Sequence, residues 1–190
     1  FPELQKELWD SPQANWLGYE IGWDVLLSGK NDWQSILFWA RVPIMLLSCG
    51  LAVLLFVWAR QLYGVAGGFI TLLLYVFSPS MLAHARVATM DAGLCFFFVL
   101  ALFLFYRWYN QPSWGNLIMA GIGLGLALLA KVTALILIPI FIGLLIWTAV
   151  KQPEKQSVWK ESIVNNVILF GGMLATLVAV YGVPFQPFYY

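Results

Sequence analysis

The sequence predicts an all-α, polytopic membrane bundle of about six spans, preceded by amphipathic helices that lie on the bilayer surface. Hydrophobic residues make up 62% of the 190 residues and charged residues only 10%, whereas a soluble domain carries roughly 25% charged residues. The apolar residues also form long, nearly uninterrupted runs. A chain of this composition has too little polar surface to cover itself in water, so the bilayer is its natural solvent.

A hydrocarbon core about 30 Å thick is crossed by roughly 20 helical residues. The apolar runs of this chain can therefore be counted as membrane spans. The run 117–150 has 34 residues and one charge, Lys131, near its middle. One straight helix of that length would far exceed the bilayer, so we predict a helical hairpin with Lys131 at its tip. The other predicted spans are 42–58, 62–79, 92–106 and 167–183.

The stretch 1–41 is too polar to span and contains five of the ten tryptophans. Tryptophan at this density beside a membrane domain is typical of the lipid–water interface, so we predict an interfacial segment 1–41 and a transmembrane domain 42–190. A tryptophan-rich soluble loop is the alternative. The chain opens on Phe1-Pro2 without a signal-like segment, which we interpret as a piece of a longer membrane protein.

The sequence does not favour nucleic-acid binding, a cysteine disulfide or metal pair, or a phosphate-binding loop. There is no basic stripe of the kind that binds nucleic acid. Cys49 and Cys95 lie in apolar runs without a CxxC spacing, so we predict buried apolar residues and no disulfide or metal pair. The glycines of the apolar runs do not join a strand to a helix, and close helix packing explains them better than a phosphate loop does.

A polar island at 78–91 separates two of the apolar runs and contains the only histidine. If the island is helical, His84 and Asp91 are seven residues apart and share a face, with Ser80 one turn before His84. A carboxylate held there acts as a base, positions a metal or orients a sugar hydroxyl. The alternative is that Asp91 only caps the next helix, where the helix dipole favours a carboxylate.

Arg41, Arg86 and Lys131 lie at span boundaries on the same predicted side as the island. Cations at that depth are well placed to bind a lipid phosphate. Snorkelling of the long side chains to the headgroups is the alternative for Arg41 and Lys131. Lysine and arginine are divided equally between the two sides, so the positive-inside rule does not set the orientation.

Four segments in this order resemble glycosyltransferase family 39, a group of GT-C enzymes that includes protein O-mannosyltransferases and the bacterial aminoarabinose transferase of lipid A. They are FWARVP at 38–43, WARQLYG at 58–64, SPSMLAHARVATMD at 78–91 and GIGLGLALLAK at 121–131. The resemblance implies an integral membrane glycosyltransferase that takes a sugar from a polyprenyl-phosphate carrier and gives it to a protein, lipid or glycan acceptor. A secondary transporter and a non-catalytic scaffold subunit are the alternatives.

The resemblance also assigns roles to residues. Asp91 matches the second outer-loop acid of the family and becomes the expected catalytic residue of this chain, while the principal acid belongs to a loop before residue 1. His84, Arg86, Lys131 and Arg41 are the expected substrate-binding residues. No cofactor beyond the lipid-linked donor is implied for certain, and His84 with Asp91 keeps a divalent metal open. The family topology implies a plasma membrane protein, bacterial inner membrane in type, with the island facing the periplasm or an equivalent compartment.

Overall fold

A computed structural model describes residue 22 and residues 31–150 and 158–181 of the chain. From residue 31 onward the described residues form the helices α1 (Trp33–Val76), α2 (Pro79–Ala85), α3 (Met90–Asn110), α4 (Trp114–Ala130), α5 (Leu137–Val150) and α6 (Val158–Tyr181), with a 3₁₀ helix at Val132–Ile136 before α5. No strand occurs within these residues. The predicted all-α class is confirmed, as expected where lipid offers the backbone no hydrogen-bond partners.

Helix α1 is a hairpin of two antiparallel arms, 33–63 and 65–76, joined at Gly64. Gly64 has φ 76° and ψ −174°, a conformation that only glycine adopts without strain. The Tyr75 hydroxyl donates to the carbonyl oxygen of Ser48 at 2.9 Å, and the rings of Phe56 and Phe69 meet at 5.3 Å. Residues 27 apart in a straight helix would be about 40 Å apart, so the chain turns back at Gly64 and forms the first two predicted spans.

The first arm begins with a capped turn. Asp32 Oδ1 accepts from the backbone amides of Gln34 at 3.2 Å and Ser35 at 3.4 Å, and the Ser35 hydroxyl donates to Asp32 Oδ2 at 2.6 Å. The hydrogen bond from the Ser35 side chain, with the backbone bonds, holds the pKa of the Asp32 carboxyl below its usual value. Most of the predicted interfacial segment 1–41 lies outside the described residues, and 33–41 form the start of α1.

Helix α4 is the centre of the bundle and packs against α3 on one side and α6 on the other. Three long apolar helices have the length and composition to cross a membrane, namely Trp33–Val76, Met90–Asn110 and Val164–Tyr181, and shorter apolar helices cover Trp114–Ala130 and Val132–Trp147. The α-helix of the run 117–150 stops at Ala130, and Lys131 is extended (φ −164°, ψ 138°). The chain then turns back as predicted, because Lys131 meets Asp91 at the start of α3 and Phe141 meets Phe105 farther along the same helix, with ring centroids 5.0 Å apart.

The core lies among α3, α4, α5 and α6, while most large apolar side chains elsewhere face outward. Phe141, Leu117, Leu124 and Leu169 are among the largest fully buried side chains. Outward-facing apolar surface of this extent suits a hydrocarbon solvent. Cys49 and Cys95 are free cysteines; Cys49 is exposed on α1 and Cys95 is half-buried. The prediction of Cys49 as a buried residue is wrong, because apolar helix faces in a membrane protein also point to lipid.

Glycines set the spacing between α4 and its neighbours. A Cβ on Gly121 would collide with the Leu169 carbonyl oxygen, and a Cβ on Gly125 would lie 2.7 Å from Thr176 Cβ. On the other face a Cβ on Gly123 would approach Ala101 Cα to 3.1 Å. The packing interpretation of these glycines is therefore confirmed, and it follows the rule that small residues let membrane helices approach closely.

Replacing Gly121 with Ala should destabilise the bundle by roughly 1–3 kcal/mol, because the added methyl forces α4 and α6 apart. Gly171 is the matched control, since a Cβ there meets nothing within 4 Å. Gly171→Ala should be neutral or slightly stabilising, because alanine is the better helix former. Thermal unfolding of both variants in detergent tests this contrast, and equal midpoints would contradict the packing assignment.

Candidate functional site

The island end of the bundle is the end that carries residues 78–91 and Lys131. Along the chain the first arm of α1 runs away from this end, the second arm returns to it, and α2 follows there before α3 runs away again. Helix α2 packs on α1 and on the start of α3. The predicted grouping of the island with the Lys131 tip at one end is what the topology produces.

The island is not one helix. Proline at the first position of α2 suits the start of a helix, but α2 ends at Ala85 and Thr89 is extended (φ −113°, ψ 157°) before α3 begins at Met90. The argument that His84 and Asp91 share a helix face across seven residues is therefore wrong. His84 instead lies within electrostatic range of Asp91 because α2 folds against the start of α3.

Asp91 and Lys131 form an ion pair. Lys131 Nζ donates to Asp91 Oδ1 at 2.7 Å, and each side chain is 42% exposed. The two residues are 40 apart in sequence and meet because α3 and α4 are antiparallel. Asp91 lies in the first turn of α3 and Lys131 just after the last turn of α4, so each charge also faces the helix dipole that favours it.

The capping interpretation of Asp91 has a direct comparison in the same structure. Asp32 accepts two backbone amides at the start of α1, as a capping carboxylate does. The residue at the cap of α3 is Thr89, and the hydrogen bond to the Asp91 carboxylate comes from Lys131. Asp91 is thus paired with a cation that lies just after the end of α4.

The side chain of Thr89 lies at the same corner, and sequence spacing did not single it out as a site residue. Its Oγ1 is buried, makes no cap hydrogen bond, and has no partner among the described residues. Buried hydroxyls in folded proteins nearly always have a partner. The Thr89 hydroxyl, two residues before Asp91, is therefore a polar group that the described residues leave without a hydrogen bond.

The remaining predicted residues lie on the island end and form no ion pair with Asp91. His84, Arg86 and Arg41 are exposed. The first arm of α1 runs parallel to α3, since a Cβ on Gly50 would touch the Phe96 ring at 3.1 Å and one on Gly93 would touch Leu47 at 3.6 Å. This register places Arg41 about one turn beyond Asp91, towards the island end.

The donor set does not favour a divalent metal. Within the described residues no three His, Cys, Asp or Glu side chains come together, and the one carboxylate of the site is already paired with a lysine. Divalent cations of the Mg²⁺ and Ca²⁺ type need several oxygen ligands.

A concave feature lies towards the other end of the bundle. A cavity of about 410 Å³ is lined by apolar and aromatic side chains, among them Trp58, Phe105 and Tyr109. Phe105 is 14 residues along α3 from Asp91, about 21 Å at 1.5 Å per residue. The cavity lacks a charged lining residue, so polar chemistry belongs to the island end.

The family model for dolichyl-phosphate-mannose-protein mannosyltransferases matches residues 5–190. The chain belongs to this family. Neither a curated protein nor a solved structure matches it significantly. Membership makes the chain an integral membrane glycosyltransferase of the GT-C type that uses a polyprenyl-phosphate sugar donor, and the expected family resemblance is confirmed. It also gives the ion pair at the island end a chemical setting, since such a donor brings a phosphate to a membrane surface.

Proposed function

We propose that the island end is the donor-phosphate side of a site that transfers a sugar from a polyprenyl phosphate to a protein hydroxyl. The observation that carries the proposal is the Asp91–Lys131 pair at 2.7 Å. It joins a carboxylate and a cation from different connections of the bundle, at the edge of the apolar region and open to solvent. Those are the two charges that such a transfer needs.

The reaction is a direct displacement at the anomeric carbon. The acceptor oxygen forms a bond to that carbon while the bond from the carbon to the phosphate oxygen breaks and its electron pair stays on the phosphate. The acceptor proton goes to a carboxylate, which general base catalysis requires within hydrogen-bond reach. Asp91 orients the acceptor hydroxyl or serves as the second carboxylate beside the family's principal base.

Cations stabilise the departing phosphate because its negative charge grows as the bond breaks. Lys131 supplies a point charge with three donors, and Arg86 supplies a planar fork that matches two phosphate oxygens. Both are exposed at the island end, where the headgroup of a membrane lipid lies. Arg41 and His84 extend the same polar rim and are proposed to contact the sugar or the phosphate.

The orientation of the chain follows from the same proposal. Lipid-linked sugars of this family are used on the outer face of the membrane, so the island end faces the periplasm or an equivalent compartment. The transporter alternative is less well supported, because transporters place charges at helices broken near the bilayer midplane. Here the described breaks, at Gly64 and Lys131, lie at the two ends of the bundle.

Replacing Lys131 with Gln should weaken binding of the lipid-linked donor by about tenfold or more, since a charge-assisted hydrogen bond contributes about 1.5–3 kcal/mol and 1.4 kcal/mol is a factor of ten. Arg86→Gln should have an effect of the same sign. Arg60→Gln is the control, because Arg60 is exposed near Gly64 at the other end of the bundle.

The assay uses the intact protein and a panel of radiolabelled polyprenyl-phosphate sugars, mannose and aminoarabinose among them, with protein and lipid acceptors. The panel identifies the sugar and the acceptor, and donor titration gives the affinity of each variant. If Lys131→Gln and Arg86→Gln kept the parental donor affinity and lost only stability in detergent, both cations would be anchors and the phosphate assignment would be wrong.

A further inference from the structure

The single ammonium group of Lys131 has two anionic partners, the Asp91 carboxylate and the phosphate of the donor. The structure pairs it with the Asp91 carboxylate at 2.7 Å, whereas the proposed function pairs it with the donor phosphate. An ammonium has three donors, but full contact with a phosphate next to a fixed carboxylate places two anions side by side. Like charges at that separation repel, so the two partners compete.

The two ends of the pair are held with different stiffness. Asp91 projects from the first turn of α3, a helix that packs along both α1 and α4. Lys131 is an extended residue between the end of α4 and the 3₁₀ helix, and its charge sits on a four-carbon stem. A change of partner therefore requires only rotation of the Lys131 side chain, while the carboxylate stays in place.

The pair is also open enough to exchange. Both side chains are 42% exposed, and an ion pair in contact with water is weak because solvent screens it and two side chains must be held in one geometry. The phosphate is the better partner during the reaction. It gains charge as the sugar leaves, so its attraction to Lys131 is strongest at the transition state.

We infer that Lys131 is a charge switch that exchanges Asp91 for the donor phosphate, so that donor binding releases the Asp91 carboxylate to the acceptor hydroxyl. This inference rests on the proposed function and adds an order of events to it. Without the donor, Asp91 is held by Lys131 and is not available to the acceptor hydroxyl. With the donor, Lys131 moves to the phosphate and both charges of the site are engaged with substrates.

The exchange predicts that removing a charged residue of the site increases the affinity for polyprenyl phosphate. Asp91→Asn should bind a polyprenyl phosphate more tightly than the parent, by about threefold to tenfold, because the phosphate no longer competes with a carboxylate for Lys131. Lys131→Gln should bind it more weakly. The probe is a polyprenyl phosphate without sugar, titrated against the intact protein in lipid nanodiscs, so that no transfer occurs.

The double variant, Asp91→Asn combined with Lys131→Gln, distinguishes competition for Lys131 from simple repulsion between Asp91 and the phosphate. If Asp91 only repels the phosphate, Asp91→Asn improves affinity equally with and without Lys131. If the two anions compete for Lys131, most of the gain disappears in the Lys131→Gln background. Asp32→Asn is the control for removing a carboxylate at a helix start on the same end, and Asp91→Ser replaces Asp91→Asn should the latter fold poorly.

The results distinguish failure of the exchange from failure of the proposed function. Unchanged or weaker binding by Asp91→Asn, or a gain that persists fully without Lys131, overturns the exchange. The proposed function survives that result if Asp91→Asn still loses sugar transfer. Parental affinity in Lys131→Gln instead removes the phosphate role itself, and with it both the exchange and that part of the proposed function.

Discussion

Asp91→Asn should slow sugar transfer by about a hundredfold or more, which is the usual contribution of a positioned carboxylate to proton transfer. The amide keeps the size of the side chain and its hydrogen-bonding ability near the helix start, but it cannot accept a proton or hold the Lys131 ammonium as an ion pair. Turnover at saturating donor, measured with the intact protein, tests this expectation.

Asp32→Asn provides the matched control. Asp32 is also an exposed carboxylate near a helix start at the island end, but it accepts the amides of Gln34 and Ser35 and acts as a cap. Asn caps nearly as well as Asp, so this variant should keep both stability and transfer. Parental turnover in Asp91→Asn, at equal expression, would return Asp91 to a capping role and remove it from the site.

The sequence was sufficient to predict the helical spans, because the physics that sets them is local. Apolar runs of helical length must satisfy their own backbone in lipid, and one charge in the middle of a 34-residue run marks a break. Lys131 is accordingly extended between α4 and the 3₁₀ helix. The glycines that pack α4 against its neighbours were predicted from the same local signals.

The geometry of the site was not predictable in the same way. Helical spacing suggested that His84 and Asp91 share a face, but four residues between α2 and α3 bend the chain, and α2 folds back on α3. The partner of Asp91 is instead Lys131, which belongs to a different connection. That contact depends on how far α3 and α4 are offset along each other, and glycine contacts between packed helices determine this offset.

The turn at Gly64 illustrates an intermediate case. The predicted spans 42–58 and 62–79 left residues 59–61 as the connection, but helical backbone angles continue up to Gly64 and resume directly after it. One glycine with a positive φ is enough to reverse the chain when small residues follow it. Gly67 and Gly68 do follow, and a Cβ on Gly68 would lie 3.0 Å from the Phe56 ring, so the two arms approach closely only because these side chains are absent.

Exchanging the two charges, in the double variant Asp91→Lys with Lys131→Asp, should abolish sugar transfer while leaving the bundle folded. The ion pair itself is retained with reversed polarity, so a pair that served only to hold α3 against α4 would keep working. The proposed roles are not symmetric. The lysine would then project from the rigid start of α3, and the carboxylate from the Lys131 position would face the phosphate and repel it.

We expect the swap to lower the stability of the bundle through the helix dipoles. A cation at the start of α3 and an anion after the end of α4 are both unfavourable, so the swapped protein should unfold at a somewhat lower temperature than the parent. The neutral double variant, Asp91→Asn with Lys131→Gln, is the reference for this effect because it removes the pair without reversing the charges. Transfer restored by the swap above the level of that neutral variant would make the pair structural, and the site would have to lie elsewhere on the island end.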